Sequence, residues 1–215
     1  MIRKKTQNSH MKDLTNISWG VDMDAEFVKE SNVRSNNNEI YFTGGVSQSA
    51  IISLIKEFDT VLGNISKAQT TLLQSTQPAV EIILYIDSGG GVIKDCFKFI
   101  DYINILKKNH GLHLTTVCNG LIASAATLMA LTGDKRYITT HSTYMIHELF
   151  GHAVGTFTHL NSHMKHINII HEHIMQLYLK YVPNLERDKL AKLLQDETWF
   201  TAEECAAMGF AEVIH

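Results

Sequence analysis

Residues 79–91 read AVEIILYIDSGGG, a nearly continuous apolar run that ends in a polar pair and three glycines. An apolar run closed by a turn signal is typical of a central strand, and we expect this strand to be buried on both faces. A helical pattern follows through Lys108, and a further apolar strand, LHLTTVC, occupies residues 112–118. Strands that alternate with helices predict an α/β domain with parallel pairing and right-handed crossovers.

The same alternation continues on both sides of this segment. Residues 1–38 are polar, end in SNNN and lack strong periodicity, so we interpret them as an N-terminal arm. Residues 39–215 are predicted to form a single domain. Its remaining early elements are a strand at 39–45, a helix at 47–62, a helix within 118–137 and short strands at 136–140 and 143–147.

A long helix is predicted over residues 156–181. Apolar side chains recur there at steps of three and four residues, namely Phe157, Leu160, Met164, Ile167, Ile170, Ile174, Leu177 and Tyr181. Pro183 then ends the pattern. At about 1.5 Å per residue the helix is longer than one small domain needs for its own core, so we expect it to meet another subunit.

Composition narrows the classes of function. The formal charge of −3 over 215 residues provides no basic footprint for nucleic acid. We expect no membrane partner, because no segment reaches the roughly 18 apolar residues of a membrane span, and no secretion signal follows the basic N-terminus. The three cysteines, Cys96, Cys118 and Cys205, are widely spaced and are predicted to be reduced core thiols, which indicates a cytoplasmic protein.

The glycine turn after residue 87 is the first candidate site. Glycines allow backbone N–H groups to approach a ligand, and ligand sites gather after the strands of α/β sheets. The spacings of dinucleotide-binding and P-loop motifs are absent, so we predict neither a nucleotide nor another cofactor. The alternative is an ordinary turn between a strand and a helix, in which Ser88 caps or turns the chain.

Ser124 is the second candidate, because Ala123 and Ala125 on either side leave its hydroxyl reachable. Its alternative role is packing within a face of small residues. A serine nucleophile needs a general base, and a histidine at a strand end, His147, suits that role. Asp196 and its neighbour in the chain, Glu197, are both candidates to orient the imidazole.

These motifs occur in a specific order. A glycine turn, Gly-x-x-Ala-Ser, Met-Ile-His, a long helix and an acid before TAEECAAMGFAEVI follow one another along the chain. Over residues 39–215 this order resembles the proteolytic subunit of the Clp protease family. The resemblance implies a crotonase-like fold of repeated β-β-α units, with a parallel sheet core and a protruding handle helix at about 156–181.

The same resemblance implies a serine endopeptidase that acts on unfolded proteins. It assigns Ser124 as nucleophile, His147 as base and Asp196, in preference to its neighbour, as orienting acid. The N–H groups of Gly91 and Ala125 would form the oxyanion hole. The flanking residues Gly90 and Val92 would bind substrate.

The resemblance also implies partners. Subunits would form a homo-oligomer of two stacked heptameric rings, a tetradecamer, and a separate AAA+ unfoldase would supply ATP-dependent unfolding, since the chain has no P-loop. Two alternatives stay open, an inactive ring subunit beside an active paralogue and a crotonase-type acyl-CoA enzyme. His159 and His163, four residues apart, are candidates to share a metal, and the alternative is a solvated or subunit-facing helix surface; we predict the surface and no metal.

Overall fold

The computed structural model describes residues 31–71 and 80–215. Along the chain the elements are β1 (Asn32–Asn36), β2 (Glu39–Thr43), α1 (Gln48–Thr71), β3 (Val80–Ser88), α2 (Ile93–His110), β4 (Leu112–Ala123), α3 (Ala125–Ala130), β5 (Lys135–Thr139), β6 (Thr143–Ile146), α4 (Phe157–Tyr181), α5 (Arg187–Gln195), β7 (Thr198–Phe200), α6 (Ala202–Met208) and β8 (Glu212–Ile214). The predicted α/β class is confirmed.

The strands form a mostly parallel sheet in the order β1-β2-β3-β4-β5-β8. Parallel pairing runs from β2 through to β8, as predicted. The antiparallel pairs lie at the margins, where β1 pairs with β2 and β7 pairs with β6. The strand β6 itself pairs in parallel with the end of β4, which brings the ends of these two strands side by side.

The prediction that β3 is buried on both faces was wrong. Ile82, Leu84 and Ile86 are fully buried, whereas the alternate residues Ile83 and Tyr85 are only half-buried. The buried face joins one core with the apolar sides of α1 and α2, where Phe58 and Phe99 pack at 5.9 Å between ring centroids. The other face carries the Tyr41–Tyr85 stack of β2 and β3.

The strand β4 is longer than predicted because it serves two partners in succession. Thr115–Cys118 pair with β5, and Leu121–Ala123 pair with β6. Gly120 lies between these segments at φ 121°, and a Cβ there would lie 2.6 Å from Asp87 Oδ1. The same carboxylate oxygen accepts the Leu121 N–H at 3.0 Å. This change of pairing partner at Gly120 leads the chain from the interior of the sheet to Ser124.

The regular structure begins before the predicted domain boundary at residue 39. The strand β1 lies within the stretch predicted to be an arm and forms a hairpin with β2 through Asn37, at φ 54°. Residues 1–30 of that predicted arm lie outside the described part of the chain.

The long helix α4 agrees with the prediction of 156–181. Thr156 caps it by accepting the His159 N–H at 3.3 Å. Its second half is buried at Ile170, Ile174, Met175 and Tyr178, whereas Phe157 and Met164 in its first half are 80% and 54% exposed. In the described residues, no helix combines the length and the apolar character needed to cross a membrane.

Candidate active site

Ser124 occupies a sharp turn between β4 and α3, at φ 55° and ψ −128°. A non-glycine residue in this region costs about 1–3 kcal/mol, so it persists only where its surroundings hold it there. The Ser124 N–H donates to Met145 O at 2.9 Å, and the Ser124 carbonyl accepts the Thr127 N–H at 3.0 Å. The side chain makes no capping bond to α3. The hydroxyl is therefore left for another partner.

That partner is His147, which directly follows β6. Its Nε2 lies 2.7 Å from Ser124 Oγ. The pair meets because β4 and β6 run in parallel, with Ala123 opposite Met145, so both strands deliver their next residues to the same edge. A serine hydroxyl bonded to an imidazole nitrogen is the geometry in which the imidazole can take the hydroxyl proton.

The surroundings of His147 favour the neutral form of the imidazole. Burial lowers its pKa below the ordinary value of 6.5, and the negative charges of Glu197 and then Glu148 oppose this change by raising it. Burial is the larger effect, because charging an imidazole away from water is unfavourable. At neutral pH the ring is therefore uncharged and able to accept a proton.

Two carboxylates lie in the turn that faces His147. In the antiparallel pair of β6 and β7, the ladder ends with Ile146 opposite Thr198. Beyond it the register breaks, because the Glu148 N–H donates to Leu194 O at 3.0 Å and Glu197 adopts φ 50°. Asp196, which the family resemblance favoured, is one residue earlier, as the C-terminal cap of α5. Both carboxylates are exposed, and of the two it is the charge of Glu197 that raises the His147 pKa, which favours Glu197 as the neighbour of the imidazole.

The glycine turn packs directly against Ser124. A Cβ on Gly90, at φ 94°, would lie 2.6 Å from both Ala123 O and Ser124 Cβ. A second contact fixes Gly91, because the Val46 N–H donates to Gly90 O at 2.7 Å and the Val92 N–H donates to Val46 O at 2.8 Å. In such a parallel bridge the intervening Gly91 N–H points away from Val46.

The remaining residues of this turn support it. The Gly90 N–H donates to Ser88 Oγ at 3.1 Å, so Ser88 serves the turn, as expected. Val92 is the N-terminal cap of α2.

A cavity of about 40 Å³ opens beside Ser124 and His147. Gly91 and Ala125 also line it, so the structure brings together four of the residues singled out in the sequence. The rest of the lining is largely apolar and consists of Ile93, Leu128, Leu149, Phe150, Ile174, Tyr178 and the acidic Glu148. The lining places apolar side chains next to the Ser124 hydroxyl.

Residues 34–215 match the Clp protease family. The ATP-dependent Clp protease proteolytic subunit of Leuconostoc citreum (strain KM20) is 30% identical to this chain over 164 residues, which cover 68% of this chain and 73% of that protein. The chain belongs to the Clp protease family. The predicted resemblance is confirmed, and the match begins inside β1, ahead of the predicted boundary at residue 39. Membership of this family of proteases implies a serine peptidase.

The apolar wall of the cavity was not predicted as part of a site. The sequence marks Ile174 only by the periodicity of the long helix, and nothing in that pattern separates pocket-lining positions from core positions. Tyr178 was not on the predicted apolar stripe at all, although it is 2% exposed. These residues reach the site because the buried half of α4 packs on α3, a contact between segments about 50 residues apart.

The histidines of α4 were predicted to form a solvated or subunit-facing surface. His159 is exposed, but His163 is buried at 8% exposure, with its ring 6.2 Å from that of His159. Within residues 31–71 and 80–215, no group of three or more His, Cys, Asp and Glu residues is arranged to hold a metal ion. The three cysteines are buried and unpaired, in agreement with the predicted core thiols.

Proposed function

We propose that this chain is a serine endopeptidase in which Ser124 is the nucleophile and His147 the general base. The observation that carries the proposal is the 2.7 Å contact between Ser124 Oγ and His147 Nε2, made at a strained turn beside an apolar cavity. Membership of a family of proteases supports the choice of an amide carbonyl as the group attacked.

In the proposed reaction His147 takes the hydroxyl proton as Ser124 Oγ attacks the carbonyl carbon. The N–H groups of Gly91 and Ala125 then stabilise the oxyanion, and a single donor of this kind is worth about 10² to 10³ in rate. The protonated imidazole gives its proton to the leaving amine, and water later hydrolyses the acyl-enzyme by the reverse sequence.

A carboxylate next to the imidazole would hold the productive tautomer and stabilise the imidazolium. The sequence indicated Asp196 for this role. The charge that acts on His147 favours Glu197 instead. We therefore propose Glu197 as the orienting acid and retain Asp196 as the alternative to be tested.

Substrate is proposed to bind as an extended chain along the glycine turn. Gly90 and Val92 flank the Gly91 donor and would contact the substrate backbone, while the apolar wall of the cavity would take the neighbouring side chain. Because the polypeptide must be extended to reach Ser124, unfolded proteins and peptides are the proposed substrates.

The proposed assembly is a cytoplasmic homo-oligomer of two stacked heptameric rings. Exposed apolar side chains on the first half of α4, including Phe157 at 80% and Met164 at 54%, supply a surface suited to association between subunits. The similar protein from Leuconostoc citreum is the proteolytic subunit of an ATP-dependent protease. A separate AAA+ unfoldase is accordingly the proposed partner.

A fluorophosphonate probe tests the proposed chemistry, because it reacts with an activated serine hydroxyl. We expect covalent labelling of Ser124 in the wild-type chain, and loss of both labelling and peptide hydrolysis in Ser124→Ala. The control is sedimentation of the variant, which should match that of the wild type. An assembled wild-type protein that neither labels nor cleaves peptides would favour an inactive ring subunit and reject the proposal.

A further inference from the structure

A chain of buried hydroxyl groups connects α4 to the turn that carries Ser124. The Tyr178 hydroxyl of α4 lies 2.5 Å from Thr127 Oγ1 in α3. Thr127 Oγ1 in turn donates to the Ser124 carbonyl at 2.5 Å. Thr127 is 0% exposed and Tyr178 2% exposed, so water does not compete for these bonds.

Counting protons fixes the direction of the chain. A threonine hydroxyl has one hydrogen, and a backbone carbonyl can only accept. The Thr127 hydrogen therefore points to Ser124 O, and the Tyr178 hydroxyl must donate to Thr127 Oγ1. When a hydroxyl oxygen accepts a hydrogen bond, the hydrogen of that hydroxyl becomes a better donor. The bond from Tyr178 to Thr127 Oγ1 therefore strengthens the bond from Thr127 Oγ1 to Ser124 O.

The receiving carbonyl belongs to the strained residue of the site. Ser124 adopts φ 55°, and its carbonyl is held by the backbone N–H and the hydroxyl of the same threonine, Thr127. A second buried tyrosine, Tyr144, also reaches Thr127, but it donates to the Thr127 carbonyl at 3.1 Å instead of the hydroxyl. Of these two tyrosine contacts, the one from Tyr178 in α4 therefore strengthens the hydrogen bond between the Thr127 hydroxyl and Ser124 O.

We propose that Tyr178 is a positioning residue that couples the packing of α4 to the geometry of Ser124 through the Thr127 hydroxyl. The inference rests on the proposed function, since it concerns the placement of the nucleophile. When α4 packs on α3, the two hydroxyl hydrogen bonds align and the strained turn is held. When the Tyr178 hydroxyl is lost, the turn relaxes while the ring continues to line the cavity.

The test uses Tyr178→Phe in the full chain, with a small fluorophosphonate as the probe. We expect the maximal inactivation rate to fall about threefold to tenfold, the effect of one buried neutral hydrogen bond, with no change in the probe's KI. Tyr144→Phe is the matched control. It removes an equally buried tyrosine hydroxyl that contacts the same threonine, and we expect it to leave the inactivation rate unchanged.

A double-variant cycle tests whether the effect passes through Thr127. Tyr178→Phe should add no further loss in a Thr127→Val background, and Thr127→Ser should keep the wild-type rate. Equal losses in Tyr178→Phe and Tyr144→Phe would overturn the inference, as would additive losses with Thr127→Val or an unchanged Tyr178→Phe.

Hydrogen exchange separates this inference from the proposed function. Tyr178→Phe should accelerate exchange of the Thr127 amide, which donates to Ser124 O, and Tyr144→Phe should not. A wild-type chain that does not label at Ser124 would reject the proposed protease chemistry. Identical exchange in the two variants would reject the role of Tyr178, whatever the labelling shows.

Discussion

The two sides of the candidate active site are built in different ways. On the nucleophile side, Ser124 lies between Ala123 and Ala125, which are 0% and 4% exposed, and Gly90 packs against its Cβ. On the base side, His147 and Glu197 extend beyond a ladder of three residue pairs at the margin of the sheet. The first side is fixed by the core. On the second side His147 follows β6, which is buried and paired with β4, whereas the carboxylate depends on the short β6–β7 pairing near solvent. Changes to the first should therefore be severe and changes to the second graded.

Among the variants that test this contrast, Gly90→Ala on the nucleophile side is expected to lose the most activity. The new Cβ would meet Ala123 O and Ser124 Cβ at 2.6 Å, at a φ of 94° that side chains rarely adopt. Ser124 and the Ala125 N–H must then move, and a misplacement near 1 Å can cost about 10² in rate. We expect peptide hydrolysis, measured as kcat/KM, to fall at least about 10²-fold.

Gly63→Ala is the matched control for that variant. Gly63 lies within α1, and a Cβ there has open space within 4 Å. Because alanine is the better helix former, this variant should be more stable by about 0.5–1 kcal/mol in thermal or urea unfolding, with unchanged hydrolysis. Full activity in Gly90→Ala would show that the nucleophile side is not fixed by this contact.

A smaller effect is expected on the base side from Glu197→Gln. The substitution keeps the shape of the side chain but removes the charge that acts on His147. Loss of the orienting charge of a buried triad acid costs about 10⁴ in rate, and exposure to solvent weakens the effect. We expect kcat/KM for a peptide to fall about tenfold to 10²-fold.

Asp196→Asn provides the comparison, because it makes the same change one residue earlier in the chain. Its kcat/KM should stay close to that of the wild type. A larger loss in Asp196→Asn than in Glu197→Gln would restore the assignment favoured by the sequence resemblance and reject Glu197 as the orienting acid.

The residues of the nucleophile side were named from the order of motifs along the chain, because each motif alone is equally consistent with an ordinary turn or a packed serine. The contacts that fix them are long-range, since Gly90 packs against Ser124 and Gly91 against Val46. His147 was named from the same order, and it ends a short apolar strand.

The acid and the apolar wall could not be predicted in the same way. The choice between Asp196 and Glu197 depends on the turn between α5 and β7, where Glu197 adopts φ 50°, and no pattern in the sequence specifies that turn. Tyr178 reaches Thr127 from a helix that begins 32 residues after α3 starts, and helical periodicity does not specify which neighbour a buried side chain meets. The half-exposed face of β3 was mispredicted because apolar residues occur on both of its faces.

The smallest effect that separates the two sides is a change in pH dependence. Ser124 can be activated only while His147 is uncharged, and burial lowers the His147 pKa below 6.5. Hydrolysis should therefore persist below pH 6.5 and fall only as the pH drops through the lowered pKa. The charge of Glu197 raises that pKa, so Glu197→Gln should move the acid limb to still lower pH.

A profile of kcat/KM against pH for the wild type, Glu197→Gln, Glu148→Gln and Asp196→Asn checks this order. Glu148 raises the His147 pKa less than Glu197 does, so its variant should move the acid limb in the same direction by a smaller amount. Asp196→Asn should leave the limb in place. A limb that shifts to higher pH in Glu197→Gln would contradict the sign of the interaction, because removing a nearby negative charge can only disfavour the protonated imidazole.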